Sequence, residues 1–93
     1  MAPVASSREA IEAEVFALLD KRKPGATICP SEVARSLEGD AGPWRELMPQ
    51  VRAVAQELAQ AQRVRVTRGG VAVDATSPGG PIRIGRPSQP GPG

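Results

Sequence analysis

Apolar residues recur at helical spacing in the first part of the chain. They predict a first helix over residues 6–22, in which Ser6 and Glu9 have the spacing of a capping box. Pro24 and Gly25 then end this helix, because neither residue favours its continuation. Its apolar stripe follows the i, i+4, i+7, i+8 pattern and consists of Ile11, Val15, Leu18 and Leu19.

Two further helices are predicted before the spacing of the apolar residues changes. Pro30 marks the start of a short second helix that ends near Glu38, since proline suits the first helical position. A third helix is predicted over residues 44–62, and Pro49 lies inside it. Either the helix has an irregular first turn, which we favour, or residues 43–48 form a separate turn. The apolar stripe of this helix contains Leu47, Val51, Val54 and Leu58.

After Gln62 the apolar spacing changes from the helical period to the strand period of two. Valines at 64 and 66 alternate with arginines, valines at 71 and 73 follow, and Gly69 and Gly70 form the turn between the two runs. A third alternation covers residues 82–84, and Thr27-Ile28 is a short β-prone segment before the second helix. We expect apolar side chains on one face of this small sheet and arginines on the other.

The predicted element order is helix, short strand, short helix, longer helix and hairpin. This is the order of a winged helix-turn-helix domain, an α+β fold with a small antiparallel wing. The predicted domain spans residues 6–84, after a flexible N-terminus at 1–5. Six of the nine residues at 85–93 are Gly or Pro, so this tail is expected to be disordered.

Composition removes several classes of function. The chain has 93 residues, 40% of them apolar, no His and one Cys, which excludes Cys/His zinc sites, His-dependent nucleophile pairs and an internal disulfide. We therefore expect no cofactor, no enzymatic activity and no small-molecule substrate. No transmembrane helix or secretory signal is visible, so a cytoplasmic protein without a membrane partner is predicted.

Three stretches carry specific residue patterns: ICPSEVAR at 28–35, WRxLMPxVR at 44–52 and GPIRI at 80–84. Through them the chain resembles a family of small bacterial proteins known only as a domain of unknown function. The resemblance implies a shared winged-helix-like fold and no particular activity. The chain departs from the family pattern at Gln62, where the family tends to place Gly, and at Ala75, where Pro is usual.

Charge is distributed unevenly along the chain. Residues 1–62 hold seven basic and nine acidic residues, whereas residues 63–93 hold five arginines and one acid, Asp74. The predicted wing is therefore the basic part, which suits contact with a nucleic-acid backbone. Within the wing, Arg65, Arg68 and Arg83 are the candidate nucleic-acid-binding residues. The alternative interpretation is that these arginines are simply exposed on the solvent-facing side of a small sheet.

The third helix supplies the other candidate residues. Arg45, Arg52 and Gln56 share the flank away from its apolar stripe, where a recognition helix would face a major groove of double-stranded DNA. Glu46 and Glu57 on the same helix would repel phosphates, so a solvated helix face is an equal alternative. A single domain of this size would bind weakly, and a homodimer or a fusion would be needed for a specific site.

Other features have less specific interpretations. The basic run 21–23 is interpreted as a helix end that complements the dipole, Trp44 as a core-edge residue between helices two and three, and Cys29 as a structural thiol. With Trp44 and Phe16 as the only aromatics, single-strand binding by base stacking is disfavoured.

Two other functions serve as alternatives to DNA binding. The first is a protein-interaction module that uses the small side chains of the third helix, Ala53, Ala55, Ala59 and Ala61. The second is an enzyme. It would rest on carboxylates whose positions are typical of helix ends and loops, namely Glu32, Glu38, Asp40 and Glu46.

Overall fold

A computed structural model of the chain describes residues 7–77 and 79–87. Within them the fold is α+β, with three helices and a four-stranded antiparallel sheet in the order β1-β4-β2-β3, an arrangement compatible with a winged helix. The helices are α1 (Arg8–Asp20), α2 (Pro30–Glu38) and α3 (Trp44–Gln60). The strands are β1 (Thr27–Ile28), β2 (Arg65–Arg68), β3 (Val71–Ala72) and β4 (Arg83–Gly85).

One hydrophobic core holds the helices against a single face of the sheet. The predicted stripes supply it: Ile11 and Val15 from α1, and Val51 from α3, are completely buried. The sheet and the segment before β4 add further buried side chains, namely Ile28, Val64, Val66, Ile82 and Ile84. Among the described residues no polar or charged side chain is buried, so apolar burial is the main stabilising term of the fold.

Helix α1 is shorter at both ends than the apolar pattern predicts. Its N-cap is Ser7, whose hydroxyl accepts a hydrogen bond from the Ala10 N–H at 3.1 Å, so the predicted cap lay one residue too early. Ser6 itself lies outside the described residues. At the other end Lys21 is the C-cap, so the basic run 21–23 begins at the end of the helix and continues beyond it.

Helix α3 runs without a break from Trp44 through Pro49 to Gln60, which confirms one helix rather than two. It ends two residues before the predicted limit, in a Schellman motif. There the N–H of Gln62 donates to Ala59 O at 2.9 Å and the N–H of Arg63 donates to Leu58 O at 2.8 Å. Gln62 has φ of 63°, the only positive φ of a non-glycine residue in the described chain. This geometry explains why glycine suits that position.

The sheet forms around β4, which pairs with both β1 and β2. Gly69 and Gly70 have φ of 60° and 85°, as the tight turn between β2 and β3 requires. β4 extends to Gly85, which is buried, so the predicted tail begins one residue too early. The predicted flexible N-terminus and residues 88–93 of the tail lie outside the described chain.

The two faces of the sheet do not separate apolar and basic residues completely. Arg68 follows the buried Val66 by two positions and pairs with Val71, so it lies on the core-facing side of the sheet but past the edge of the core. Val71, expected on the apolar face, is 66% exposed. Among the described residues, no helix combines the length and apolar character needed to cross a membrane.

Candidate nucleic-acid interface

The structure separates the predicted nucleic-acid-binding residues into two groups. Val66 and Ile84 face the core, so the alternating neighbours Arg65 and Arg83 lie on the opposite face of the sheet. The second group lies on the helical side of the molecule, and its members are Arg45, Arg52, Gln56 and Arg68. The six predicted residues therefore do not share one surface that could contact a single ligand.

On the helical side, Arg45 and Arg52 line a groove of about 730 Å³ along α3. Its apolar floor arises because Trp44 and Met48, one helical turn apart, are half-buried against the core edge. Thr76 from the loop between β3 and β4 forms the other side. We call this the α3 groove; its lining residues are Trp44, Arg45, Met48, Pro49, Arg52 and Thr76.

Trp44 is contacted by two guanidinium groups. The Cζ atoms of Arg35 and Arg45 each lie 4.4 Å from its ring centroid, within the range of cation–π attraction. The packing of α2 against α3 brings Arg35 to this place, and no spacing in the sequence signals it. The ring packs at the core edge, as predicted, and it adds a third arginine to the surroundings of the α3 groove.

Gln56 has a structural role that the sequence pattern did not suggest. Its side-chain oxygen accepts a hydrogen bond from the backbone N–H of Ala75 at 2.8 Å, which ties the β3–β4 loop to α3. Asp74 organises the same loop by accepting from the Thr76 hydroxyl at 2.5 Å and from its N–H at 2.7 Å. These hydrogen bonds from Thr76 lower the pKa of the Asp74 carboxyl. Thr76 is thereby fixed at the edge of the groove.

Arg68 supports the β3–β4 loop from its other end. Its Nη2 donates to Ser77 O at 3.3 Å and to Gly80 O at 3.1 Å, while its buried Nε has no hydrogen-bond partner. A Cβ at Gly79 would lie 3.2 Å from Arg68 Nη1, so the guanidinium packs directly against the loop backbone. Arg68 therefore positions the loop and is only partly available to a ligand.

Arg83 is held on the outer face of the sheet by β1. Its Nε donates to Thr27 Oγ1 at 2.8 Å, its Nη2 to Thr27 O at 3.0 Å, and its Nη1 to Cys29 Sγ at 2.8 Å. These contacts explain the half-buried position of Cys29 beside the start of α2. Arg65 is exposed on the same face, two strands away from Thr27.

Ion pairing distinguishes the candidate arginines from most of the others. Four arginines outside the candidate set each have a carboxylate oxygen within 2.9 Å, namely Arg8, Arg22, Arg63 and Arg86. Arg45, Arg52, Arg68 and Arg83 form no ion pair with any described residue. Their charges are thus not neutralised by neighbouring carboxylates, and those of Arg45 and Arg52 lie beside the α3 groove.

The residues behind the two alternative functions are scattered. Ala55 is buried in the core and Ala59 packs against it, so the alanines of α3 do not form one exposed surface. Glu32 pairs with Arg22 at 2.6 Å, while Glu38 and Glu46 line an open hollow of about 250 Å³. Within the described chain no three metal-ligating side chains cluster where they could hold an ion.

Comparison with known proteins identifies a family for this chain but no activity. No curated protein matches the sequence. A family model described as a protein of unknown function (DUF3253) matches residues 8–87, which include all three helices and all four strands. The chain therefore belongs to the DUF3253 family.

Proposed function

We propose that this protein is a winged-helix binding module, not an enzyme, and that it contacts duplex DNA through the α3 groove. The observation that carries the proposal is the pair Arg45 and Arg52. They lie two helical turns apart at one groove, and neither guanidinium has a carboxylate partner in the described chain. Unpaired arginines can bind phosphate without first breaking an internal ion pair.

The acids of α3 oppose this interaction less than the sequence suggests. Glu57 accepts a hydrogen bond from Arg8 Nε at 2.6 Å, so a neighbouring cation compensates its charge. Glu46 lines the separate hollow that contains Glu38, not the α3 groove. The groove itself therefore presents arginines without a carboxylate among its lining residues.

In the proposed complex α3 approaches the major groove, and Arg45 and Arg52 contact phosphates or guanine edges. Arg35, held against Trp44, lies beside them, with Asp40 3.8 Å away as its ion-pair partner. Gln56 and Arg68 act indirectly, because they fix the β3–β4 loop that carries Thr76 to the groove edge. This assignment revises four of the six sequence candidates: Gln56 and Arg68 become positioning residues, and Arg65 and Arg83 lie outside the contact.

Titration of a fluorescent DNA duplex across a salt series tests the proposal. Neutralising both groove arginines in the double variant Arg45→Gln/Arg52→Gln should weaken binding and lower the salt slope by about two, since each phosphate contact contributes about one. The double variant Lys21→Gln/Lys23→Gln is the control, because it removes the same charge from exposed positions beyond α1. Equal loss in both variants, or no binding at low salt, would contradict the proposal.

A protein partner at the same groove is a second candidate. The observation that favours it is the apolar floor of Trp44, Met48 and Pro49, since aromatic residues, Met and Arg are enriched in protein interfaces. A second copy of the chain would be the simplest such partner. Mass measurement in solution separates the two functions: a concentration-dependent dimer that Trp44→Ala abolishes supports this one, and a strict monomer argues against homodimerisation.

A further inference from the structure

We propose that the α3 groove also binds a small organic acid, a carboxylate with an aromatic body, and that this ligand displaces DNA. The displacement rests on the proposed DNA-binding function, whereas the binding of the acid does not. The groove has a volume of about 730 Å³, which is within the range of small-molecule sites. Its apolar floor contributes little to a phosphate contact and therefore favours a ligand with an apolar part.

The floor of the groove is an apolar surface that the core leaves partly uncovered. Trp44 and Met48 pack on the edge of the core and are only half-buried. Pro49 continues this surface and is exposed. A flat apolar group that covers the floor removes it from water, and the thioether of Met48 makes favourable contacts with aromatic rings.

Arg52 is the residue that would bind the carboxylate. It makes no hydrogen bond, ion pair or ring contact with any described residue. Its guanidinium can therefore donate to both carboxylate oxygens without giving up a partner. Met48 precedes Arg52 by four residues, so the two side chains lie on the same face of α3. A carboxylate at Arg52 thus places the aromatic body of the ligand over the apolar floor.

The other polar residues of the groove have smaller parts. The Arg45 guanidinium lies 4.4 Å from the Trp44 ring centroid and has no carboxylate partner in the described chain, so it adds positive charge at the far end of the groove. Thr76 donates its hydroxyl to Asp74, so it bounds the groove without donating to the ligand. Asp74 is not among the lining residues, and no lining residue carries a negative charge.

The test is a titration of the full-length protein with phenylacetate, followed by the fluorescence of Trp44, the only tryptophan of the chain. We expect a saturable change with a dissociation constant on the order of 1 mM, because a ligand of so few atoms gains little binding free energy. Two controls separate the parts of the ligand. Phenylacetamide lacks the charge and acetate lacks the aromatic body, so neither should produce a saturable change in this range.

Arg52→Gln should weaken the binding of phenylacetate about tenfold, because it removes the charge-assisted hydrogen bonds. Lys23→Gln removes the same charge from an exposed position and should leave the affinity unchanged. Unchanged circular dichroism of both variants shows that folding is not the cause of a loss. In a second titration, phenylacetate added to the complex with a fluorescent duplex should release the DNA, whereas acetate at the same concentration should not.

The acid site would be overturned by the absence of a saturable change with phenylacetate, by equal binding of phenylacetamide, or by equal affinity in wild type and Arg52→Gln. Saturable binding of phenylacetate that leaves the duplex bound would overturn the displacement. The fluorescence titration contains no DNA, so it decides on the acid site even when the protein fails to bind a duplex.

Discussion

Gln56 on α3 and Ala75 in the β3–β4 loop are joined by a hydrogen bond of 2.8 Å from the Ala75 backbone N–H to the Gln56 side-chain oxygen. Ala75 is buried, so loss of this acceptor leaves a poorly solvated N–H. We expect Gln56→Ala to lower the free energy of unfolding by about 1–3 kcal/mol, measured by urea denaturation. The control is Gln60→Ala at an exposed position of the same helix, which should change stability little.

The same pair offers a sharper test through a substitution at position 75 that removes the backbone N–H. Ala75→Pro removes the N–H that Gln56 accepts, so the two substitutions should not add. In the Ala75→Pro background, Gln56→Ala should cost much less than in the wild type. Additive losses would show that the hydrogen bond does not stabilise the loop.

Gln62 occupies a backbone conformation that suits glycine. Its φ of 63° follows the end of α3, and both hydrogen bonds of the Schellman motif depend on this turn. We expect Gln62→Gly to raise the free energy of unfolding by roughly 1 kcal/mol, since a left-handed conformation penalises a side chain by about that amount. Ala53→Gly, at an exposed position in the middle of α3, should instead lower it by about 1 kcal/mol. Thermal denaturation of both variants shows whether each substitution raises or lowers the free energy of unfolding.

Glu12 links α1 to the segment after α3 and should make stability depend on acid pH. Its pKa is lowered, first by the hydrogen bond from Arg63 at 2.6 Å and also by that from Arg8 at 2.9 Å, while desolvation opposes the shift. A lowered folded pKa stabilises the fold above the unfolded pKa of about 4.3, and this stabilisation disappears as pH falls through the folded value.

Urea denaturation at a series of pH values below neutrality measures this effect. We expect Glu12→Gln to lose stability relative to wild type at neutral pH and to show a smaller further loss in acid. Arg63→Gln should raise the pKa of Glu12, which a carboxyl NMR titration detects directly. An unchanged Glu12 titration in Arg63→Gln would mean that the ion pair is absent in solution.

The elements of the fold could be predicted because local patterns determine them. The segment Thr27-Ile28, the helix start at Pro30 and the continuous helix across Pro49 all followed from spacing and turn chemistry. The ends of α1 were less predictable, because two adjacent serines can each cap a helix and only the tertiary position selects Ser7.

The candidate site was less predictable than the fold, since its partners are distant in sequence. Arg83 bonds to Thr27 and Cys29 more than fifty positions away, and no pattern in β4 signals that contact. The approach of Arg35 to Trp44 likewise depends on how α2 packs on α3. The division of the arginines between two faces could have been anticipated, because Arg65 and Arg83 alternate with the core residues Val66 and Ile84.

Amide chemical-shift mapping of the full chain with a DNA duplex tests the central claim most directly, because the two faces of the molecule respond separately. We predict saturable, salt-sensitive shifts along residues 44–52 and at Thr76, with Thr27 and Gly85 unaffected. Shifts centred on Thr27 and Gly85, or none at low salt, would contradict DNA binding through the α3 groove.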